Sequence, residues 1–168
     1  PKEARGLIIP GGFPEQHANQ LSNSTISLNS IRRFSTKFPI YAECGGMMFL
    51  GKSIFDLEGR EHSMAGILPF KVKKGNLKIG YREAKSKNKS PITTPGNKLI
   101  GHEFHRWELI NENYNSKINH IWDIKGWNME VKNEGFCNRL IHASWIHLHW
   151  ASSPLILENW KRSVMNYA

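Results

Sequence analysis

Cysteine is scarce in this chain: Cys44 and Cys137 are the two among 168 residues. Two thiols build no disulfide framework, and they fit a reducing cytoplasm. No apolar run approaches the roughly 20 residues of a membrane span, and no charged, apolar and small-residue pattern marks a signal peptide. Acidic residues are few beside basic ones, 14 Asp and Glu against 23 Lys and Arg, giving a formal charge of +9. That excess invites a nucleic-acid reading, because Lys and Arg displace counterions condensed on phosphates. No recognition helix, zinc finger or aromatic RNA-binding signature accompanies it. Much of the charge sits in loop-like text, at Lys71, Lys73, Lys74, Lys78, Lys85, Lys87 and Lys89. A solvated basic face, or a surface meeting an anionic substrate or partner domain, is the reading this distribution supports.

The length suits one domain with a single core. The chain opens on Pro1, and a strand-like Gly6-Leu7-Ile8-Ile9-Pro10 follows within a few residues. The expectation is that further chain precedes it. A turn at Gly11-Gly12-Phe13-Pro14 leads into a polar stretch from Glu15, where Leu21, Ile26, Leu28, Ile31 and Phe34 carry a loose helical period broken by Asn and Ser. Two helices are expected there, followed by a strand over Pro39-Ile40-Tyr41-Ala42. Strand, helix and strand in this order predict an α/β fold with a parallel sheet and a site at the carboxyl ends of its strands.

The middle reads differently, with strands over residues 54–57, 68–72, 77–84, 98–110 and 118–124 divided by Gly, Asn and Lys. This predicts an antiparallel β extension, with residues 85–97 as a mobile loop. Strands over 136–141 and 144–149 return to the core. A closing helix begins at Pro154, with Leu155, Leu157, Trp160 and Val164 as its packing side.

Tyr41-Ala42-Glu43-Cys44-Gly45-Gly46-Met47 has the form of a nucleophile elbow. A side chain at the tip of a sharp strand-to-helix turn needs small neighbours two residues either side, and Ala42 and Gly46 supply them. The Gly45 amide would then open a helix, where free N–H groups favour a thiolate and a developing oxyanion. The stretch alone serves equally well as a strand closed by a small buried cysteine. Gly11-Gly12 can bring a second backbone N–H close to a substrate. In Ala143-Ser144-Trp145-Ile146-His147-Leu148-His149, both histidines fall on one side of a strand, and either imidazole could take the Cys44 proton.

His102, Glu103 and His105, with the terminal histidines, raise the question of a metal. Their spacing matches neither a zincin helix nor a zinc finger, so no metal site is expected.

Five blocks in order carry a resemblance over nearly the whole chain: Gly11-Gly12-Phe13-Pro14-Glu15, Tyr41 to Met47, Gly80-Tyr81-Arg82-Glu83, Gly101-His102-Glu103-Phe104-His105 and Ala143 to His149. They resemble the glutaminase part of the cobyrinate a,c-diamide synthases. The resemblance implies a flavodoxin-like class I glutamine amidotransferase fold over residues 1–168, incomplete at its amino end, with a mainly parallel central sheet. It places the nucleophile on Cys44, its activating histidine on His147 and the oxyanion loop on Gly11 and Gly12, with the amides of Gly12 and Gly45 as the expected donors. Glu15, Glu103 and His149 are candidates for orienting groups or for positioning substrate. Many class I glutaminases carry a Glu two residues after the histidine; here that place is His149, so a Cys-His dyad with other orienting groups is expected.

The resemblance also implies an ATP- and Mg2+-binding synthetase domain, which is absent from this sequence, where no G-x-x-x-x-G-K-[ST] occurs. No cofactor is expected in this chain itself. The implied partners are L-glutamine and, through the synthetase domain, cobyrinate; neither nucleic acid nor membrane is expected, and a homodimer is left open. Rival readings are a catalytically silent partner-binding domain and an amidotransferase acting on a related tetrapyrrole.

Overall fold

A computed structural model of the chain describes residues 3–110 and 119–166. In chain order the strands are β1 (Leu7–Ile9), β2 (Ile40–Glu43), β3 (Ser53–Phe55), β4 (Glu61–Ser63), β5 (Lys71–Ser86), β6 (Lys98–Ile110), β7 (Trp122–Gly126), β8 (Met129–Glu134), β9 (Phe136–Cys137), β10 (Ile141–Ser144) and β11 (Ile146–Leu148). The α-helices are α1 (Ala18–Asn23), α2 (Thr25–Ser35), α3 (Gly45–Leu50) and α4 (Pro154–Met165).

Two sheets organise these elements. The first has the order β1-β2-β10-β9, parallel through its first three strands, with β9 antiparallel at the edge. Its central strand β2 is buried on both faces until Glu43, as a run of Ile40, Tyr41 and Ala42 requires. The second sheet has seven strands and is the larger one, built around the long antiparallel pair β5 and β6. The mixed α/β character is thus as the sequence implies, but the β extension outweighs the parallel sheet.

The helical stretch divides at Ser24, whose side chain bonds back to the Gln20 carbonyl while its own carbonyl starts α2. Arg32 then ties α2 to the chain after β4, donating to the Ala65 and Met64 carbonyls at 2.7 and 3.0 Å. One apolar cluster fills the space around β2, α3 and Phe70, and a second gathers Tyr41, Trp122, Ile146 and Ile156. Cys137 belongs to the second, and burial there pushes its thiol up to about 12.

Several expectations need correction. The strand over 136–141 is interrupted: Asn138 caps a turn by accepting from the Leu140 and Ile141 N–H groups, and separates β9 from β10. The strand over 144–149 does not stay in the parallel sheet. At Trp145 the chain crosses to the second sheet, where β11 pairs with β6. Residue 118 lies outside the described residues, and the strand expected over 118–124 falls on Trp122–Gly126. The loop expected over 85–97 is not loose: Lys85 and Ser86 end β5, Ser90, Ile92 and Thr93 are buried, and α4 clasps the segment through Asn159 to the Ile92 carbonyl and Ser163 to the Pro91 carbonyl. For that reason α4 turns Ile156, not Leu155 or Leu157, into the core, with Trp160 packed beside it.

Candidate active site

Cys44 stands between β2 and α3 with φ 46° and ψ −108°. A positive φ at a residue with a Cβ costs on the order of 1–3 kcal/mol, and such strain persists only where its surroundings impose it. Here they do. A Cβ on Gly45 would lie 2.3 Å from the Gly12 carbonyl oxygen, and one on Gly46 the same distance from that of Ile9. The helix therefore starts hard against the end of β1, and the turn between strand and helix has no room to relax. The result is the sharp presentation expected of an elbow.

Cys44 lines a cavity of about 570 Å³ together with Gly11, Gly12, Glu15, His105 and His147. That size is ordinary for a small-molecule site. The second sheet forms its far wall: Cys44 Sγ lies 3.9 Å from the Phe104 carbonyl on β6. His147 reaches the cavity from β11, opposite His102 in the register with β6. The crossover at Trp145 is thus what brings thiol and imidazole together, one from each sheet.

The carboxylate that orients this imidazole is Glu43, the residue before the cysteine. His147 Nδ1 lies 3.3 Å from Glu43 Oε2, which leaves Nε2 for the side of Cys44. Glu43 Oε1 accepts the Leu148 N–H at 2.9 Å and a short hydrogen bond from the Tyr41 hydroxyl. Burial, and then the Glu43 charge, push the Tyr41 phenol well above its ordinary value, so it remains a donor. His147 is pushed up to about 10, first by its interaction with the Cys44 sulfur and second by the hydrogen bond to Glu43. An imidazolium beside Cys44 is the charge state that favours a thiolate. Beside the expected Cys-His pair thus stands a carboxylate, Glu43, that sequence reading passed over. The signal was present: in β2, Tyr41 and Glu43 alternate onto one face, and the pairing of β2 with β10 leads that face to β11.

A buried framework fixes the strand that carries His147. Glu134 accepts from Ser144 Oγ at 2.7 Å and from the Trp145 N–H at 2.8 Å, which pins the crossover. Burial pushes this carboxyl up to about 7. The Trp145 ring stacks on His105 with centroids 3.9 Å apart. His105 is held in turn by Glu103 at 3.0 Å and by the Trp107 carbonyl at 2.7 Å.

Glu103 therefore stands one step behind the cavity. Burial alone would raise its carboxyl, but the His105 and Arg82 hydrogen bonds outweigh that and hold it at about 2. Glu15 lines the cavity itself, 7 % exposed. His149 does not join the group: β11 ends at Leu148, the alternation stops, and His149 is exposed at the head of a 3-10 turn. The histidines His102 and His105 lie on opposite faces of β6, His102 between Tyr81 and Phe104 on the outer side.

The fold is that of the class I glutamine amidotransferases. The chain is similar to a solved glutamine amidotransferase with a TM-score of 0.63 and 14 % identity, over 96 % of this chain and 79 % of that one. A glutamine amidotransferase from Thermotoga maritima aligns with a TM-score of 0.57 and 15 % identity, over 98 % and 66 %. Residues 1–155 match the family described as the CobB/CobQ-like glutamine amidotransferase domain, and the chain belongs to that family. Curated relatives include the cobyrinate a,c-diamide synthases of Synechococcus, 32 % identical over 95 % of this chain, and of Leptospira interrogans, 36 % identical over 95 %. The chain spans about a third of their length, 35 % and 36 %.

Proposed function

We propose that this chain hydrolyses the side-chain amide of L-glutamine at Cys44. The ammonia would serve the ATP-dependent amidation of the a and c carboxylates of cobyrinate, in the cytoplasm, as one part of cobalamin synthesis. The observation that supports the hydrolytic half is Cys44 and His147 at the wall of one cavity, with Glu43 behind the imidazole. The corrin half rests on the names of the relatives.

In this mechanism the Cys44 thiolate forms a bond to the amide carbon, and the charge moves to the oxygen. The amides of Gly12 and Gly45 would receive that oxyanion; one such donor is worth roughly 10²–10³ in rate. Imidazolium His147 gives its proton to the nitrogen as the C–N bond breaks, and ammonia leaves. His147 then takes a proton from water, which attacks the glutamyl thioester and releases glutamate and the thiolate. Glu43 keeps the ring aligned and supports its charge at both steps. On this reading ATP and Mg2+ belong to the synthetase domain that the resemblance implies. No step is routed through them.

A catalytically silent domain is the rival, in part because no carboxylate follows His147 by two residues; Glu43 beside His147 weakens that one ground. Cys44→Ala in the complete synthase should abolish glutamine-driven amidation and leave ammonia-driven amidation largely intact. Glutaminase activity surviving that change would overturn the proposal.

A further inference from the structure

Glu15 presents a buried carboxyl, one oxygen of which lacks a hydrogen-bond partner among the described residues. It follows the Gly11-Gly12 loop in a 3-10 turn over Pro14–His17, with Pro14 fixing the entry. It is more than nine-tenths buried, lines the cavity that holds Cys44, and its Oε2 has no hydrogen-bond partner among the described residues. A buried carboxyl oxygen left unpaired costs stability unless a ligand satisfies it. Burial raises its pKa, and its own backbone N–H, the Trp107 indole and His17 only partly offset that. On the same cavity, the exposed cations Lys74 and Arg106 stand on the wall built by β5 and β6.

We propose that Glu15 is the subsite for the α-ammonium group of the amino-acid substrate, with Lys74 and Arg106 facing its α-carboxylate, so that the cavity selects a zwitterion and not merely a primary amide. This inference rests on the glutaminase reading and adds the groups that choose its substrate. An ammonium brings three donors and a positive charge to the one acidic wall of the site. It fixes the far end of glutamine while Cys44 meets the amide.

The test compares glutamine with glutaramate, the same amide without the α-amino group, in the wild type, Glu15→Gln and Glu15→Asp. Wild type should prefer glutamine. Glu15→Gln should lower kcat/KM for glutamine by about 10- to 100-fold, mainly through KM, and that for glutaramate by less than about threefold, so that the preference collapses. Glu15→Asp, which keeps the charge, should retain part of the preference. Protection of Cys44 from iodoacetamide by each amide gives a second readout independent of turnover. An unchanged preference in Glu15→Gln, or equal losses for both amides, would overturn the assignment and leave the glutaminase reading standing. A wild type that neither hydrolyses glutamine nor is protected by it would remove that reading, and this inference with it.

Discussion

Glu43→Gln changes one charge at the carboxylate that touches His147 and leaves the side-chain volume intact. The amide oxygen can keep the two bonds that Oε1 now accepts, from the Leu148 N–H and the Tyr41 hydroxyl, so β11 should hold its place. The amide nitrogen would then face Nδ1 of His147, where Oε2 now stands at 3.3 Å. Two donors cannot pair. The ring must either lose this contact or turn to the tautomer with Nδ1 unprotonated, which puts a proton on Nε2 and leaves no acceptor for the thiol.

Correctly placed general acid–base groups contribute roughly 10²–10⁴ in rate, and a loss of that order in kcat is expected. The second consequence is electrostatic. His147 owes its rise to about 10 first to Cys44 and then to Glu43. Removing Glu43 lowers the imidazole again, and the imidazolium–thiolate pair survives over a narrower pH range. Alkylation of Cys44 by iodoacetamide should therefore slow at neutral pH. Equal kcat and superimposable alkylation profiles in wild type and Glu43→Gln would refute the triad.

Two further changes probe the scaffold. Gly11→Ala places a methyl group 2.6 Å from His147 Cε1, so the ring must shift; a displacement of this kind should cost about 10²-fold in kcat/KM with the melting temperature nearly unchanged, and full activity would show that the ring position is not critical. Glu134, pushed up to about 7 by burial against an ordinary 4.5, binds its proton more tightly when folded. Its contribution to stability is complete below about 4.5 and is lost as pH rises to about 7, so urea denaturation at pH 5 and pH 8 should show a loss in the wild type that shrinks in Glu134→Gln; an equal loss in both would refute it.

Local chemistry made the first third of the chain legible. Small residues around Cys44 announced the elbow, and the Ser and Asn breaks announced two helices where α1 and α2 lie. Glu43 escaped notice because its partner is 104 positions away and is reached only through the crossover at Trp145, a feature set by the buried Glu134 and not by periodicity. The segment 87–97 misled for a related reason: its polar residues signalled solvent, yet Ser90 bonds to the buried His142 ring and Asn97 to its own turn. In α4, equal apolar content on neighbouring positions left the face undecided until the docked segment 87–97 selected Ile156.

The central claim concerns covalent chemistry at one thiol. Glutamine mixed with the chain and quenched in acid should leave a glutamyl thioester on the peptide containing Cys44, detected by mass spectrometry, absent in Cys44→Ala and longer-lived where His147→Ala slows hydrolysis more than it slows acylation. Cys137, buried and pushed up to about 12, should carry none. An adduct on Cys137, or glutamine hydrolysis with no adduct dependent on Cys44, would contradict the account.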